Sequence, residues 1–185
     1  MNIIILQHIK IEDPGYIKDL MLADGLNLTT IELDEGEKIP NDLSKFDGMF
    51  CMGGPMDTFM EKEYPWLIEE KKKIKEFVIN LKKPYLGFCL GCQLLGEVVG
   101  GKVVKSEPAE IGVMDINFSK EKNNDDLFSE FPNEIKSLQW HSYEVQGIEN
   151  NKDITLLASS PVTKNQIFKY QNHAYGIQFH IEIKD

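Results

Sequence analysis

The ten residues Pro84-Tyr85-Leu86-Gly87-Phe88-Cys89-Leu90-Gly91-Cys92-Gln93 constrain the fold of this chain more than any other stretch. An apolar run leads into Cys89, and a helical pattern begins directly after it. Gly87 and Gly91 stand two residues either side, the spacing of a G-x-nucleophile-x-G elbow with cysteine as the nucleophile. Side chains at the flanking positions of so sharp a turn would collide, and glycine avoids this. A strand that turns straight into a helix demands a sheet in which strands alternate with helices.

The rest of the chain meets that demand. Residues 3–6, 28–33, 46–52 and 84–88 read as strands, the second rich in the β-branched Thr29, Thr30 and Ile31. Asp13 is placed to cap a helix with Pro14 at its first position and Gly25 just past its end. The spacing of Leu67, Ile74, Phe77, Val78 and Leu81 predicts an amphipathic helix over 65–81. Lys71, Lys72, Lys73 and Lys75 fall mostly on its other face and read as solvated. A further helix over 90–99 closes at Gly100-Gly101. Alternation of this kind predicts an α/β fold with parallel pairing and crossover helices. After Lys105 the pattern changes: residues 112–118, 137–145, 154–158, 166–170 and 174–180 read as strands, with one short helix over 125–131. That half is expected to add antiparallel strands. With no repeat and no linker composition, residues 1–185 are expected to form one domain.

Placed at a helix start, Cys89 gains from the partial positive charge there, which favours thiolate. The first N–H groups of the helix stand ready for a developing oxyanion. Two other readings of Cys89 remain open at this point: a buried structural cysteine, or a Cys-x-x-Cys redox pair with Cys92. A zinc site lacks the second pair of cysteines that four ligands require. A nucleophile needs a base, and the chain offers His8, His141, His173 and His180. His180 ends the apolar-rich segment that begins at Gly176, and Glu182 follows on the same side of an extended chain. A carboxylate there fixes the imidazole tautomer and stabilises the imidazolium. Read singly, His180 is an ordinary strand-end histidine and Glu182 a solvated acid; neither description accounts for both standing beside an elbow cysteine.

Composition narrows the setting. Thirty acidic against 20 basic residues leave a net charge of -10, which repels phosphate backbones and anionic membranes. No nucleic-acid or membrane partner is expected. No apolar run approaches the roughly 20 residues of a membrane helix, and the N-terminus lacks the basic region of a signal peptide. Three cysteines, an odd and low number, suit a reducing cytoplasm rather than a disulfide framework.

Three segments together resemble the class I glutamine amidotransferase family: Met52-Gly53-Gly54-Pro55, Gly87-Phe88-Cys89-Leu90-Gly91-Cys92-Gln93, and Gly176-Ile177-Gln178-Phe179-His180-Ile181-Glu182. Leu6-Gln7-His8 and Glu63-Tyr64-Pro65-Trp66 are similar to its stand-alone, single-domain members in particular. The resemblance implies a three-layer, mostly parallel, flavodoxin-like sheet with helices on both faces. It implies a triad of Cys89, His180 and Glu182, with the oxyanion held by Leu90 and the Gly53-Gly54 loop. Gln93 and the segment His141-Ser142-Tyr143 would hold the substrate. Taken alone, Gly53-Gly54-Pro55 reads as a plain turn, and Trp140 and Tyr143 as core aromatics. The substrate would be glutamine or a γ-glutamyl compound, with no cofactor and no metal. The sequence carries no phosphate-binding loop, so a synthetase consuming the ammonia would be a separate subunit. A hydrolase of γ-glutamyl conjugates and a non-catalytic binding module are the alternatives. The family usually has histidine where this chain has Cys92, proline where it has Ile181, and a closing helical segment after Glu182.

Overall fold

The computed structural model describes residues 1–183. Nine strands form one sheet: β1 (Asn2–Gln7), β2 (Asn27–Glu32), β3 (Gly48–Cys51), β4 (Tyr85–Phe88), β5 (Lys102–Phe118), β6 (Glu134–Gln146), β7 (Ile154–Ser159), β8 (Ile167–Tyr170) and β9 (Ala174–Ile177). Their order is β2-β1-β3-β4-β9-β8-β7-β5-β6. The first five run parallel. They reproduce the 2-1-3-4-5 order of flavodoxin-like sheets, with β9 in the fifth place. The remaining pairings are all antiparallel. Parallel and antiparallel pairings are thus equal in number, so the expectation of a mostly parallel sheet is met only in its first half. The strand-rich second half supplies the expected antiparallel strands as a continuation of the same sheet.

Successive residues of a strand point to opposite faces, and β1 sorts the core accordingly. Ile4 and Leu6 face a cluster built with Leu67 and Ile74 of α2 (Trp66–Lys75) and Leu94 and Leu95 of α3 (Leu90–Val98). Ile3 and Ile5 face a second cluster with Met21 of α1 (Gly15–Ala23), Phe128 and Tyr175. Helices therefore cover both faces of the parallel half, as three layers require.

Several local expectations shift. Asp13 does not occupy the cap position of α1, which falls to Pro14, but its Oδ1 accepts the Gly15 N–H at 2.9 Å. α2 ends at Lys75 and a π-helical turn, Glu76–Asn80, carries the chain on, with the Leu81 N–H bonded to the Glu76 carbonyl at 2.9 Å. The lysines of α2 are not all solvated. Lys73 is buried and bonds the Asn41 carbonyl at 2.9 Å, and Lys71 pairs with Glu61 and Glu97. No helix forms over 125–131. Asp125 Oδ1 caps a turn by accepting the N–H of Leu127 and of Phe128, but the segment is too short to offset helix nucleation. The helical turn there is the 3-10 segment Lys120–Asn124. β5 starts ten residues before the expected strand, because its ladder to β6 continues across a register shift between Lys105 and Glu110. Pro108, which cannot donate to a ladder, falls inside that shift. The last two residues of the expected domain, Lys184 and Asp185, lie outside the described residues.

Candidate active site

Parallel strands end on the same edge of a sheet, so whatever follows their carboxyl ends is brought together. In the consecutive strands β1, β3, β4 and β9 those followers are His8 and Glu12, Gly53 and Gly54, Cys89, and His180 with Glu182. Residues from opposite ends of the sequence meet there for that reason alone.

Cys89 occupies the elbow with φ 46° and ψ -101°. Such a conformation costs a non-glycine residue on the order of 1–3 kcal/mol, and it persists only where the surroundings enforce it. Here the Cys89 N–H is tied to the Ile177 carbonyl of β9 at 2.9 Å. A Cβ on Gly87 would lie 2.5 Å from the Gly91 backbone, and one on Gly91 would lie 2.1 Å from the Cys51 carbonyl of β3. The two glycines thus have different reasons: Gly87 clears the turn, and Gly91 lets α3 pack on the neighbouring strand.

His180 Nδ1 lies 2.7 Å from Glu182 Oε1, and the imidazole shares a cavity wall with Cys89, near enough for the thiol to act on its titration. A carboxylate accepts, so Nδ1 carries a proton and Nε2 is left for the sulfur. Burial works to lower the affinity of the imidazole for a second proton. The pull of Cys89 and Glu182 on the imidazolium outweighs it and pushes His180 up to about 10. The segment is pinned on both sides: the His180 N–H bonds the Leu138 carbonyl at 2.9 Å, Ser137 Oγ donates to the His180 carbonyl at 3.0 Å, and the Tyr16 N–H bonds the Glu182 carbonyl at 2.9 Å.

A cavity of about 480 Å³ opens over these groups. Cys89, His180, Glu182 and Gly54 lie on its wall with Glu12, Leu138 and Trp140, and Ile9, Ile11 and Ile183 complete an apolar rim. Gly53 sits just behind, near enough that an added Cβ would be 3.2 Å from His180 Cε1. Leu90 begins α3, so its N–H is one of the unpaired donors of that helix start. The substrate-holding candidates Gln93, His141, Ser142 and Tyr143 are not on this wall. Gln93 is buried, and its Nε2 donates to the Tyr143 carbonyl at 3.1 Å and to Gln178 Oε1 at 3.4 Å. His141 turns away from the cavity, with Nε2 3.3 Å from Glu110 Oε2. Strand alternation explains this: Leu138 and Trp140 of β6 face the cavity, so His141 cannot. Ser142 is exposed, and Tyr143 packs edge-on against Phe59 at 5.3 Å. Trp140, read as a core aromatic, is 68% exposed.

Three residues near Cys89 were missed by the sequence reading. Gln178 Nε2 lies 3.8 Å from Cys89 Sγ. Glu12 presses on the Gly53 backbone; a Cβ there would be 2.0 Å from its Oε2. Burial raises the Glu12 carboxyl above its ordinary value, against the pull of His180 and His8. His8 is buried with Nδ1 2.9 Å from the Gly53 carbonyl and Nε2 2.8 Å from Glu70 Oε1, which also accepts the Cys51 thiol at 3.4 Å. The available signal was position: His8 and Glu12 follow β1, whose carboxyl end shares the edge that Cys89 occupies. His8, Cys51 and Glu70 hold one ligand atom each within 4.8 Å of one another, the set among the described residues most suited to a metal. Their mutual hydrogen bonds already engage those atoms. Cys92 is fully buried against Gly176, and burial pushes its thiol well above the ordinary range.

Comparison with known proteins places this chain among relatives. The family described as Glutamine amidotransferase class-I matches residues 16–185. A glutamine-hydrolyzing GMP synthase subunit from Picrophilus torridus is 31% identical over 170 residues, covering 91% of this chain and 81% of that one. Gamma-glutamyl peptidase 3 of Arabidopsis thaliana is 32% identical over 148 residues, 77% of this chain and 57% of that one. The crystal structure of a glutamine amidotransferase from Thermotoga maritima superposes with a TM-score of 0.89 at 29% identity, covering 99% of this chain and 76% of its own.

Proposed function

This chain belongs to the class I glutamine amidotransferase family, and we propose that it is a cysteine-dependent amidase that cleaves the side-chain amide of glutamine and releases ammonia. The observation that carries this reading is that Cys89 and His180 lie on the wall of one cavity, with His180 held by Glu182. The thiolate of Cys89 attacks the carboxamide carbon. The oxyanion is received by the Leu90 and Gly54 N–H groups, each such donor typically worth about 10² to 10³ in rate. The imidazolium of His180 then protonates the departing nitrogen, and ammonia leaves a γ-glutamyl thioester. Water, deprotonated by the now neutral His180, attacks the thioester and frees glutamate and Cys89. Glu182 keeps Nδ1 protonated throughout. Ser142, on the same face of β6 as Trp140, meets the amino-acid end of the substrate, while the buried Gln93 and His141 hold the strand through the Tyr143 carbonyl.

The ammonia would pass to a synthetase on a separate chain, as the naming of the Picrophilus torridus relative as a subunit suggests. Residues 1–185 would act as one domain in a reducing cytoplasm, where the three free thiols persist. No helix among the described residues is long and apolar enough to cross a membrane.

A second reading has its own support. A cavity of about 480 Å³ with an apolar rim leaves room beyond a glutamine side chain, and one relative is a gamma-glutamyl peptidase. Here the same thioester forms with a γ-glutamyl amide whose leaving amine carries an apolar group. One assay separates the two: product release from glutamine and from a panel of γ-glutamyl dipeptides, for wild type, Cys89→Ala and Cys92→Ala. Loss of all activity in Cys89→Ala, with Cys92→Ala active, is the expected result. Preference for the dipeptides selects the second reading. Turnover that survives Cys89→Ala, or a glutamine-like electrophile attached to Cys92, overturns both.

A further inference from the structure

Glycine pairs serve as oxyanion donors because a backbone without side chains can approach the substrate, yet the same freedom leaves the intervening peptide free to rotate. The Gly53–Gly54 peptide is trans, so its carbonyl and its N–H point in opposite directions. Whichever way the Gly53 carbonyl turns decides whether the Gly54 N–H faces the cavity. From the geometry around this peptide we infer that His8 and Glu70, neither of which touches substrate, are positioning residues that lock the oxyanion donor of Gly54 toward Cys89. This rests on the amidase reading above.

The lock is a short chain of hydrogen bonds running inward from the site. The Gly53 carbonyl can only accept, so His8 Nδ1, at 2.9 Å, must be protonated. On the other ring nitrogen, Glu70 Oε1 lies at 2.8 Å. Both side chains have no solvent exposure. Desolvation acts to strip the second proton from the imidazole, but Glu70, the Gly53 carbonyl and Glu12 oppose it and hold His8 above its ordinary value. With both nitrogens protonated, His8 presents N–H to the Gly53 peptide and no acceptor. A flipped peptide would aim the Gly54 N–H at the His8 N–H, two donors face to face in a dry interior, where an unmade hydrogen bond costs most. The rest of the shell resists motion as well. Trp66 stacks on the His8 ring at 5.5 Å and 20°, and the Cys51 thiol bonds Glu70 at 3.4 Å. Glu70 Oε2 has no partner among the described residues, so His8 and the Cys51 thiol are what compensate that buried carboxylate.

The test compares wild type, His8→Leu and His8→Asn, the last because an asparagine amide can donate to the Gly53 carbonyl as Nδ1 does. Three quantities are read: kcat and KM for the better of glutamine and γ-glutamyl dipeptides, and the rate at which iodoacetamide alkylates Cys89, a reaction that forms no oxyanion. His8→Leu should lose on the order of 10² in kcat with KM within about threefold, and alkylation should be unchanged. His8→Asn should recover most of the loss. A folded His8→Leu that keeps its kcat, or that loses alkylation in step with turnover, overturns the role of His8. Should His8→Leu not fold, the wild-type adduct with glutamate γ-semialdehyde decides. A crystal structure with the Gly53 carbonyl on His8 and the Gly54 N–H on the hemithioacetal oxygen supports the lock; a carbonyl turned into the cavity refutes it. Absence of any wild-type turnover removes the amidase reading and this inference with it, whereas a normal wild type beside an indifferent His8→Leu removes only this inference.

Discussion

His180 and Glu182, two residues apart in an extended segment, meet through Nδ1 and Oε1 at 2.7 Å, and that contact sets which ring nitrogen is offered to Cys89. The attraction of Cys89 and Glu182 for the imidazolium prevails over burial and places the titration of His180 at about 10. Because the raised form is the protonated one, His180 keeps its proton through neutral pH and loses it as pH rises through that value. The alkaline limb of the rate profile should therefore follow loss of the proton that the leaving nitrogen needs. Glu182→Gln removes the raising effect of the carboxylate, so its alkaline limb should move to lower pH and kcat should fall by up to about 10⁴-fold. A kcat–pH series on both proteins, with an NMR titration of the imidazole, checks the direction; an unmoved limb contradicts it.

Gly91 poses a conflict between two effects of opposite sign. Alanine there would gain up to about 1 kcal/mol of helix propensity within α3. Its Cβ would also lie 2.1 Å from the Cys51 carbonyl, and neither backbone has a flexible end to yield. The steric term wins, and Gly91→Ala should lower stability by about 3 kcal/mol, a fall in Tm of roughly 6–12 °C for a chain of this size. Calorimetry reads it, and a Tm within about 2 °C of wild type, a margin of about 1 kcal/mol, would show that β3 gives way.

Asp125 anchors the turn under the second core cluster. Its Oδ2 lies 2.6 Å from Lys169 Nζ and accepts the Tyr175 hydroxyl at 3.1 Å. Burial alone would raise the Asp125 carboxyl, but the hydrogen bond to Lys169 and the Leu127 N–H hold it below the usual aspartate value. A depressed carboxyl contributes stability that is present above the unfolded pKa, about 3.9, and lost as pH falls through the folded one. Stability should thus decline below about pH 4, and Asp125→Ala should weaken that decline. The variant itself should cost about 3 kcal/mol, the low end for a broken buried pair, since Lys169 keeps some contact with water. Urea unfolding of both proteins at pH 7 and pH 3 measures each part.

Trp140 forms part of the cavity wall yet is 68% exposed. An apolar surface so placed has work to do only when something covers it. With Trp140→Ala, KM for γ-glutamyl dipeptides bearing an apolar second residue should rise by about 5- to 20-fold, the equivalent of about 1–2 kcal/mol of lost burial. KM for free glutamine should change little. Equal effects on both substrates would place Trp140 at the amino-acid end instead.

The elbow was legible because its constraints are local. Gly87, Cys89 and Gly91 lie within five residues, and the sharp turn between a strand and a helix allows few other residue types. The pairing of His180 with Glu182 was legible for the same reason, since a two-residue step in extended chain has one geometry. Sheet direction was legible only where a helix joins paired strands: α1 joins β1 to β2 and α2 joins β3 to β4, both parallel pairs, while nothing local told β5 to begin at Lys102 or the later strands to extend the same sheet.

His141 marks the boundary between the two kinds of information. A motif places it beside Ser142 and Tyr143, but the register of β6 against β5 decides which face it takes, and that register sends it to Glu110. Glu70 and Gly53 lie 62 and 45 positions from His8 along the chain, and no spacing rule connects them. Local sequence determined the turn types, the helices and the chemistry available at each strand end, because short-range sterics and hydrogen bonding act within a few residues. Which of those ends became neighbours, and which buried groups had to satisfy one another, was decided by strand order and core packing, whose energies depend on contacts that exist only once the whole sheet has formed.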